Sequence, residues 1–369
     1  MLYFSVFIFV ILGQYTIKAQ LQEENCLHIR DCTQLIDKFK SGEILKDQLD
    51  VLKCGSEKLH YICEKEKPLT SDSPKYLPSG ETEGCGEFSD SSNIIGGKNT
   101  KPGKYPFTVA LGSADSNVIT YVCGGSLINR WYVLTAAHCE YKVNKANIGD
   151  WDLSRDLDVY EGMTVELTKN QVIDIERWIV HQDYELTDRS IKNDIALVKL
   201  NKIVEVGLYV EPICLPLGPP DLQILNIPDF EDSLLGVRAH AVGWGLNSSY
   251  AGLLEENESR FATAIQQVVD LPILGKSKCL EYHRFVNYSN QVCAGGESDK
   301  DACTGDSGGP LAINQFNKKE KFLIEELASP SKWYLYGIVS AGSGKCGSET
   351  PTVFTRVTAY IGWIKENLR

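Results

Sequence analysis

Three short stretches of this sequence carry side chains that could make and break bonds: LTAAHC around His138, NDIALVKL around Asp194 and CTGDSGGPL around Ser307. A serine hydroxyl is a poor nucleophile until an imidazole takes its proton. The imidazole in turn needs a buried carboxylate to fix its tautomer and stabilise the imidazolium. Glycines beside Ser307 let the backbone turn sharply, and the N–H groups of Gly305 and Ser307 would then converge on a developing oxyanion. Taken singly, a histidine is more often a core or surface residue than a base. DIAL could open any strand, and a Gly-rich hexapeptide could be a turn. All three together, in the order His, Asp, Ser, point to a serine nucleophile with its base and orienting acid.

Residues so far apart in sequence need a scaffold to bring them together. From Ile94 onward the chain consists of short apolar runs rich in Val, Ile, Tyr and Trp between turn residues, such as FTVALG, WYVLTAA, DIALVKL, RAHAVGWG and LYGIVSAG. Many short strands at modest spacing predict an all-β barrel or sandwich. One helix is predicted at the end, VTAYIGWIKENLR, where Ile361 and Ile364, or Tyr360 and Ile364, share a face. No internal repeat and no low-complexity tract interrupts the pattern.

The 369 residues leave room for about two or three domains. A net charge of −12 and a pI near 5.1 argue against a nucleic-acid partner. The first residues hold an apolar core from Phe4 to Leu12, too short to cross a bilayer at roughly 20 residues per span. They read as a signal peptide over residues 1–19, ending near Ala19, although no positive charge precedes the apolar core. No later segment is long and apolar enough to span a membrane as a helix, so no membrane partner is expected. Twelve cysteines without a CxxC pair imply an oxidising, extracellular compartment and argue against a zinc site. Sequons at Asn247, Asn257 and Asn287 would be glycosylated on the same route.

Residues 26–63 hold four cysteines, Cys26, Cys32, Cys54 and Cys63, in a module too small to bury much core without staples. Between them Leu35, Ile36, Phe39, Ile44, Leu45 and Leu49 have helix-like spacing. Residues 64–93 are rich in Pro, Ser, Gly and charge, and read as a flexible linker carrying Cys85.

Over residues 94–369 the motifs IIGG, TAAHC, DIAL, GDSGGP and GIVSAG resemble those of the chymotrypsin-like serine proteases. That resemblance implies two six-stranded antiparallel barrels with the site between them. It makes His138 the general base, Asp194 its orienter and Ser307 the nucleophile. Residues 26–63, with CLHIRDCTQL, LKCGSEK and YICEK, resemble the clip domain of arthropod serine proteases. That family has six cysteines where this module has four, so the expected bridges are Cys26–Cys54 and Cys32–Cys63. The resemblance also implies Cys123–Cys139, Cys279–Cys293, Cys303–Cys346 and Cys85–Cys214.

In this family a cut before an IVGG-like sequence frees an α-amino group that pairs with the carboxylate preceding the nucleophile. Here those groups are Ile94 and Asp306. Asn93 departs from the basic residue usual before the cut. The family's pocket floor falls at Asp301, implying cleavage after Arg or Lys, with Ser340 and Gly342 at the edge. Thr352 stands where trypsin-like members carry Gly and is expected to narrow the pocket. Ala341 stands where a Trp usually lines the cleft. The loop GDWDLSRDLD resembles a calcium loop, in which Asp150, Asp152, Asp158 and the carbonyl of Arg155 would bind a structural Ca2+; no cofactor is expected for catalysis. The resemblance therefore implies a secreted zymogen of a serine endopeptidase in an arthropod extracellular cascade (innate immunity, melanisation, clotting or Toll signalling) or in venom. Its partners would be protein substrates, an upstream activating protease and a serpin-type inhibitor. The alternative is a non-catalytic clip-domain binding protein or cofactor, which Asn93 and Thr352 favour.

Overall fold

The computed structural model describes residues 26–28, 60–62, 71–78, 84–87, 98–115, 118–141, 143–155, 159–160, 163–164, 170–187, 190–207, 209–217, 235–245, 263–314, 332–342 and 346–369. The chain divides into two units, Met1–Leu69 and Thr70–Arg369. In the first, strand Cys26–His28 pairs antiparallel with His60–Ile62, Cys26 facing Ile62. The expected signal peptide, the helical spacing between Leu35 and Leu49, and the bridges Cys26–Cys54 and Cys32–Cys63 lie outside the described residues. So do Asn93, Ile94, Asp158, Asn247 and Asn257.

The second unit is built from two barrels. Six strands close the first in the order Gln171–Val180, Ala196–Leu200, Tyr132–Thr135, Val118–Leu127, Thr108–Asp115 and Lys145–Ile148. The last pairs back onto Gln171–Val180. In the second, Arg238–Gly243 pairs with Pro310–Asn314 on one side and Gln267–Leu274 on the other. Trp333–Ala341, Thr352–Arg356 and Gln291–Ala294 complete that ring, and Lys98–Asn99 adds to Gln267–Leu274 from outside. All five apolar runs singled out in the sequence are strands of these barrels.

Side chains explain the closure. From Val269 to Leu274 strand Gln267–Leu274 alternates buried and partly exposed positions, as a strand with one face on a core must. Eight of the nine residues of Trp333–Ala341 are buried, because both of their faces are covered. One apolar cluster joins Phe107, Leu134 and Leu197 of the first barrel to Val242, Ala312 and Leu335 of the second. Each fully buried side chain of this kind contributes roughly 1.5–3 kcal/mol, so the two barrels are held together by a shared core.

The C-terminal helix is shorter than its sequence pattern. A 3-10 turn, Val357–Tyr360, leads into the α-helix Ile361–Asn367. Tyr360 and Ile364 are buried against the first barrel's cluster, and Ile361 is only partly covered. The last residue is tied by its carbonyl, which accepts from Tyr132 Oη at 2.9 Å.

The stretch expected to be a flexible linker is fastened in two places. Within residues 71–78, the carbonyls of Pro74 and Tyr76 both accept from Asn129 Nδ2. Within residues 84–87, Cys85 is bonded to Cys214 and Gly86 hydrogen-bonds to Pro212 and Trp333. Composition alone suggested mobility; specific donors on the barrel wall, with one carbonyl acceptor, hold these pieces.

Candidate active site

His138 follows strand Tyr132–Thr135 on a 3-10 turn, Ala137–Glu140, stapled to the preceding strand Val118–Leu127 by Cys123–Cys139. Asp194 comes just before strand Ala196–Leu200. Its neighbour Asn193 has φ 49°, a left-handed conformation that Asn tolerates better than most residues. Tyr360 Oη donates to Asn193 Oδ1 at 2.8 Å, so the C-terminal segment braces the acid from behind.

The Asp194 carboxylate is buried and receives three donors. The backbone N–H of His138 donates to Oδ1 at 3.0 Å, the His138 Nδ1–H to Oδ2 at 2.8 Å, and the Ser340 hydroxyl to Oδ2 at 2.5 Å. With Nδ1 committed in this way, Nε2 is the nitrogen left to accept a proton. Thr355 Oγ1 donates to the Asp194 carbonyl at 2.8 Å, fixing the main chain as well.

Ser307 sits on the turn between Cys303 and strand Pro310–Asn314. Its carbonyl accepts from Gly124 N–H at 2.7 Å, which ties the turn to the strand bearing Cys123. Gly308 has φ 77°, and a Cβ there would lie 2.1 Å from Thr135 Oγ1, so only glycine fits this contact. The imidazole of His138 lies against the Cys123–Cys139 bridge, its ligand atom within 4.8 Å of both sulfurs. Sulfurs joined in a disulfide are not thiolates, so this cluster is not a metal centre.

A cavity of about 160 Å³ opens beside Ser307, with Asp301 and Gly342 also on its wall. Ser340 reaches the same wall, so one residue both edges the pocket and donates to Asp194, a double role the sequence pattern did not show. Thr352 differs from expectation. It is only 1 % exposed and does not line the cavity; its hydroxyl donates to Asp301 Oδ1 at 2.5 Å. Rather than narrowing the lumen, it caps one oxygen of the floor carboxylate. The reason is the available acceptor: an anionic oxygen beside a buried hydroxyl captures it. Ala341 packs on a small cluster around Tyr288 and Val353.

Asp306 points away from the cavity. Its Oδ1 accepts from Gly245 N–H and its Oδ2 from Cys303 N–H, each at 2.9 Å. A Cβ on Gly243 or Gly245 would come within 2.3 or 2.5 Å of carboxylate atoms, so this glycine pair makes room for the acid. The sequence carries the pair as GWG at the end of RAHAVGWG, which reads there only as a strand end. Burial pushes Asp306 up to about 6, with the two N–H donors pulling it down and the Asp301 charge adding to the rise.

Behind the pocket floor, Arg238 clamps the loop that carries Asp301. Its guanidinium bonds Glu297 through two nitrogens at 2.8 and 3.0 Å and Asp270 Oδ2 at 2.9 Å. Arg238 beside Glu297 holds that carboxyl down at about 2. Nothing in the sequence motifs marked this brace.

Of the expected calcium loop, Asp150, Asp152 and Arg155 are described. Asp150 Oδ2 accepts from Asn147 Nδ2 at 2.7 Å and Asn170 Nδ2 at 3.0 Å, while Asp152 pairs with Arg155 Nε at 2.9 Å. Among the described residues no three acidic groups converge there. Asn287 is exposed, and its side-chain oxygen accepts from Ser289 Oγ at 2.7 Å, leaving the sequon accessible.

The family description Trypsin matches residues 94–364, most of the chain. The chain is also 33 % identical to CLIP domain-containing serine protease B4 of Anopheles gambiae, over 97 % of this chain and 92 % of that one. The chain belongs to the clip-domain serine proteases. Among other members it is 30 % identical to phenoloxidase-activating factor 1 of Holotrichia diomphalia, over 100 % of this chain and 99 % of that one. It is 29 % identical to melanization protease 1 of Drosophila melanogaster, over 93 % and 90 %.

The pocket of this clip-domain protease has its own titration. Burial raises Asp301 to about 6, against the pull of the Thr352 hydroxyl and the Ala302 N–H. A cationic ligand needs the ionised form. Benzamidine affinity is therefore expected to be constant above about pH 7 and to weaken tenfold per unit as pH falls well below 6. In Thr352→Val, which removes the donor, that midpoint should move up. Affinity that is flat down to pH 4.5, measured by equilibrium binding, would show that Asp301 is not the counter-charge.

Proposed function

We propose that this protein is a secreted serine endopeptidase made as a precursor and cut before Ile94. It cleaves substrates after Lys or Arg in an extracellular arthropod cascade of the melanisation type. The observation that carries this reading is the coincidence of two features. The Asp194–His138 pair is assembled on the first barrel, and Ser307 shares one cavity with Asp301. Secretion is supported by the disulfides of the protease unit, including Cys85–Cys214. The cascade is supported by the phenoloxidase-activating and melanization proteases among its relatives.

In this reading the substrate's basic side chain enters the cavity and pairs with Asp301, placing the scissile carbonyl at Ser307 Oγ. His138 Nε2 takes the hydroxyl proton as Oγ attacks. Asp194 holds the other ring nitrogen and balances the imidazolium charge. The N–H groups of Gly305 and Ser307 receive the oxyanion. His138 then returns the proton to the leaving amine, and water repeats the sequence on the acyl-enzyme.

Asp306 links the cut to the site. A buried carboxylate without a cation is costly, and a freed Ile94 ammonium would supply one. Because burial raises the folded-state value of Asp306 to about 6, the uncut chain carries a penalty that is absent below the ordinary carboxylate range and complete above about pH 6. Cleavage before Ile94 should therefore raise Tm by at least about 3 °C at pH 7, and by much less at pH 4. An equal shift at both pH values, seen by calorimetry, would dissociate Asp306 from activation.

The direct test combines N-terminal sequencing with organophosphonate titration of protein from its native fluid. A terminus at Ile94 with stoichiometric labelling of Ser307 supports the reading. A chain that never labels, even after forced cleavage before Ile94, would instead mark a non-catalytic clip-domain protein, the reading that Asn93 favours.

A further inference from the structure

We infer that the protein has a second, non-covalent anchor for the segment that precedes its activation bond: a surface made by Asn129, Arg130 and Trp131 that binds residues 72–77. This anchor holds the N-terminal piece on the protease after cleavage without needing Cys85–Cys214.

Asn129 is the centre of the surface. It is only 1 % exposed, and its Oδ1 accepts from the N–H groups of Trp131 and Tyr132, each at 2.8 Å. Those two bonds fix the amide so that Nδ2 projects both hydrogens outward. One goes to the Pro74 carbonyl and one to the Tyr76 carbonyl, each at 2.9 Å. Trp131 Nε1 donates to the Asp72 carbonyl at 2.7 Å, and the Arg130 guanidinium bonds the Asp72 carboxylate. Arg130 is itself aimed by a 2.8 Å bond from Nε to the Val204 carbonyl. Leu77 then packs against the first barrel's core cluster, and Pro78 is buried.

The receiving groups are preorganised by the barrel's own turn, so they lose little freedom on binding. Departure of the segment would strip Asn129 of both acceptors and open the site under Leu77, which makes release unfavourable. A second stitch lies ten residues on. Gly86 N–H donates to the Pro212 carbonyl, and Trp333 N–H donates to the Gly86 carbonyl, both at 2.8 Å. A Cβ at Gly86 would lie 2.5 Å from the Trp333 carbonyl oxygen, so the approach is close enough to need glycine. Every donor and acceptor on the segment precedes Asn93, and every partner follows Ile94. A cut at that bond therefore leaves all these contacts in place. The disulfide then adds effective concentration to an interface that already exists.

The test uses the full chain with a site for a sequence-specific viral protease inserted between residues 88 and 93, so it does not depend on the natural activator. In a Cys85→Ala/Cys214→Ala background, the cut protein at 1 µM should elute from gel filtration as one species. Adding Asn129→Ala should weaken the association by about 30-fold and separate the pieces. Separation with Asn129 intact would overturn the inference. Because Cys85 and Cys214 are fully buried and their loss could impair folding, a second arm keeps the disulfide. After cutting, the amides of residues 71–78 should retain their hydrogen-exchange protection, and Asn129→Ala should abolish it. Exchange at free-peptide rates in the cut wild type would equally overturn it. Neither result bears on whether Ser307 labels, so this inference and the proposed activity can fail separately.

Discussion

Ser307→Ala should lower kcat/KM for peptide substrates by roughly 10^6-fold, comparable to the loss in other triad proteases, and abolish organophosphonate labelling. The fold should survive, because Ser307 holds its surroundings through its carbonyl, which accepts from Gly124 N–H, and not through Oγ. Unchanged Tm and an unchanged near-UV spectrum would confirm that only chemistry was removed. His138→Ala should cost about as much, and the double variant little more, since base and nucleophile act as one unit. Asp194→Asn should cost roughly 10^4-fold, because the amide would donate to Nδ1 and force the wrong tautomer. That variant is less clean, since Asp194 also receives the His138 N–H and the Ser340 hydroxyl. Activity surviving in Ser307→Ala would mean that the cavity at Asp301 serves some other reaction.

Asp301→Ser should reduce kcat/KM for Lys and Arg substrates by roughly 10^4-fold while leaving labelling of Ser307 by a small neutral organophosphonate intact. A cationic side chain brought into the cavity would meet no counter-charge, and an unpaired charge in a desolvated site is strongly disfavoured. Thr352 shapes how that charge is presented. Because its hydroxyl occupies Asp301 Oδ1, a guanidinium finds one oxygen partly engaged, whereas an ammonium needs only one partner. Thr352→Gly should therefore raise turnover of Arg substrates by several-fold relative to Lys. Thr352→Val keeps the bulk and removes the donor; at pH 8 it should change the Arg-to-Lys ratio about as much as Thr352→Gly. Equal ratios in the wild type and both variants, from paired substrates differing only at that residue, would show that Thr352 leaves specificity untouched.

Much of the catalytic site was legible because its chemistry is local. GDSGGP places Ser307 beside the glycines its turn requires, TAAHC places His138 on a short 3-10 turn, and DIAL places Asp194 just before a strand. The specificity pocket was only half legible. Asp301 was recognisable by its offset from Ser307. The direction of the Thr352 hydroxyl was not, because it depends on where the carboxylate of a distant loop comes to rest. Ser340 was visible as a pocket edge and invisible as a donor to Asp194 for the same reason.

The linker shows the limit most clearly. Its Pro, Ser and charged residues bury little on their own, so composition assigns it to mobile chain. Carbonyls of Pro74 and Tyr76 become fixed only because Asn129, more than fifty residues later, is oriented by a turn of the first barrel. The acidic loop also makes contacts that its spacing does not show. An acidic spacing that reads as a cation loop has Asp150 and Asp152 already engaged by Asn147, Asn170 and Arg155.

By itself, then, the sequence determined the strand texture and singled out His138, Asp194 and Ser307, because short-range patterning and motif identity encode them, while the cysteine partners of the protease unit came from the family resemblance. Only the tertiary structure decided which oxygen of Asp301 is capped, how Arg238 braces the pocket loop, how two glycines enclose Asp306 and where the linker is anchored. Those are contacts between side chains far apart in the chain, and their geometry exists only once two closed barrels have set the distances.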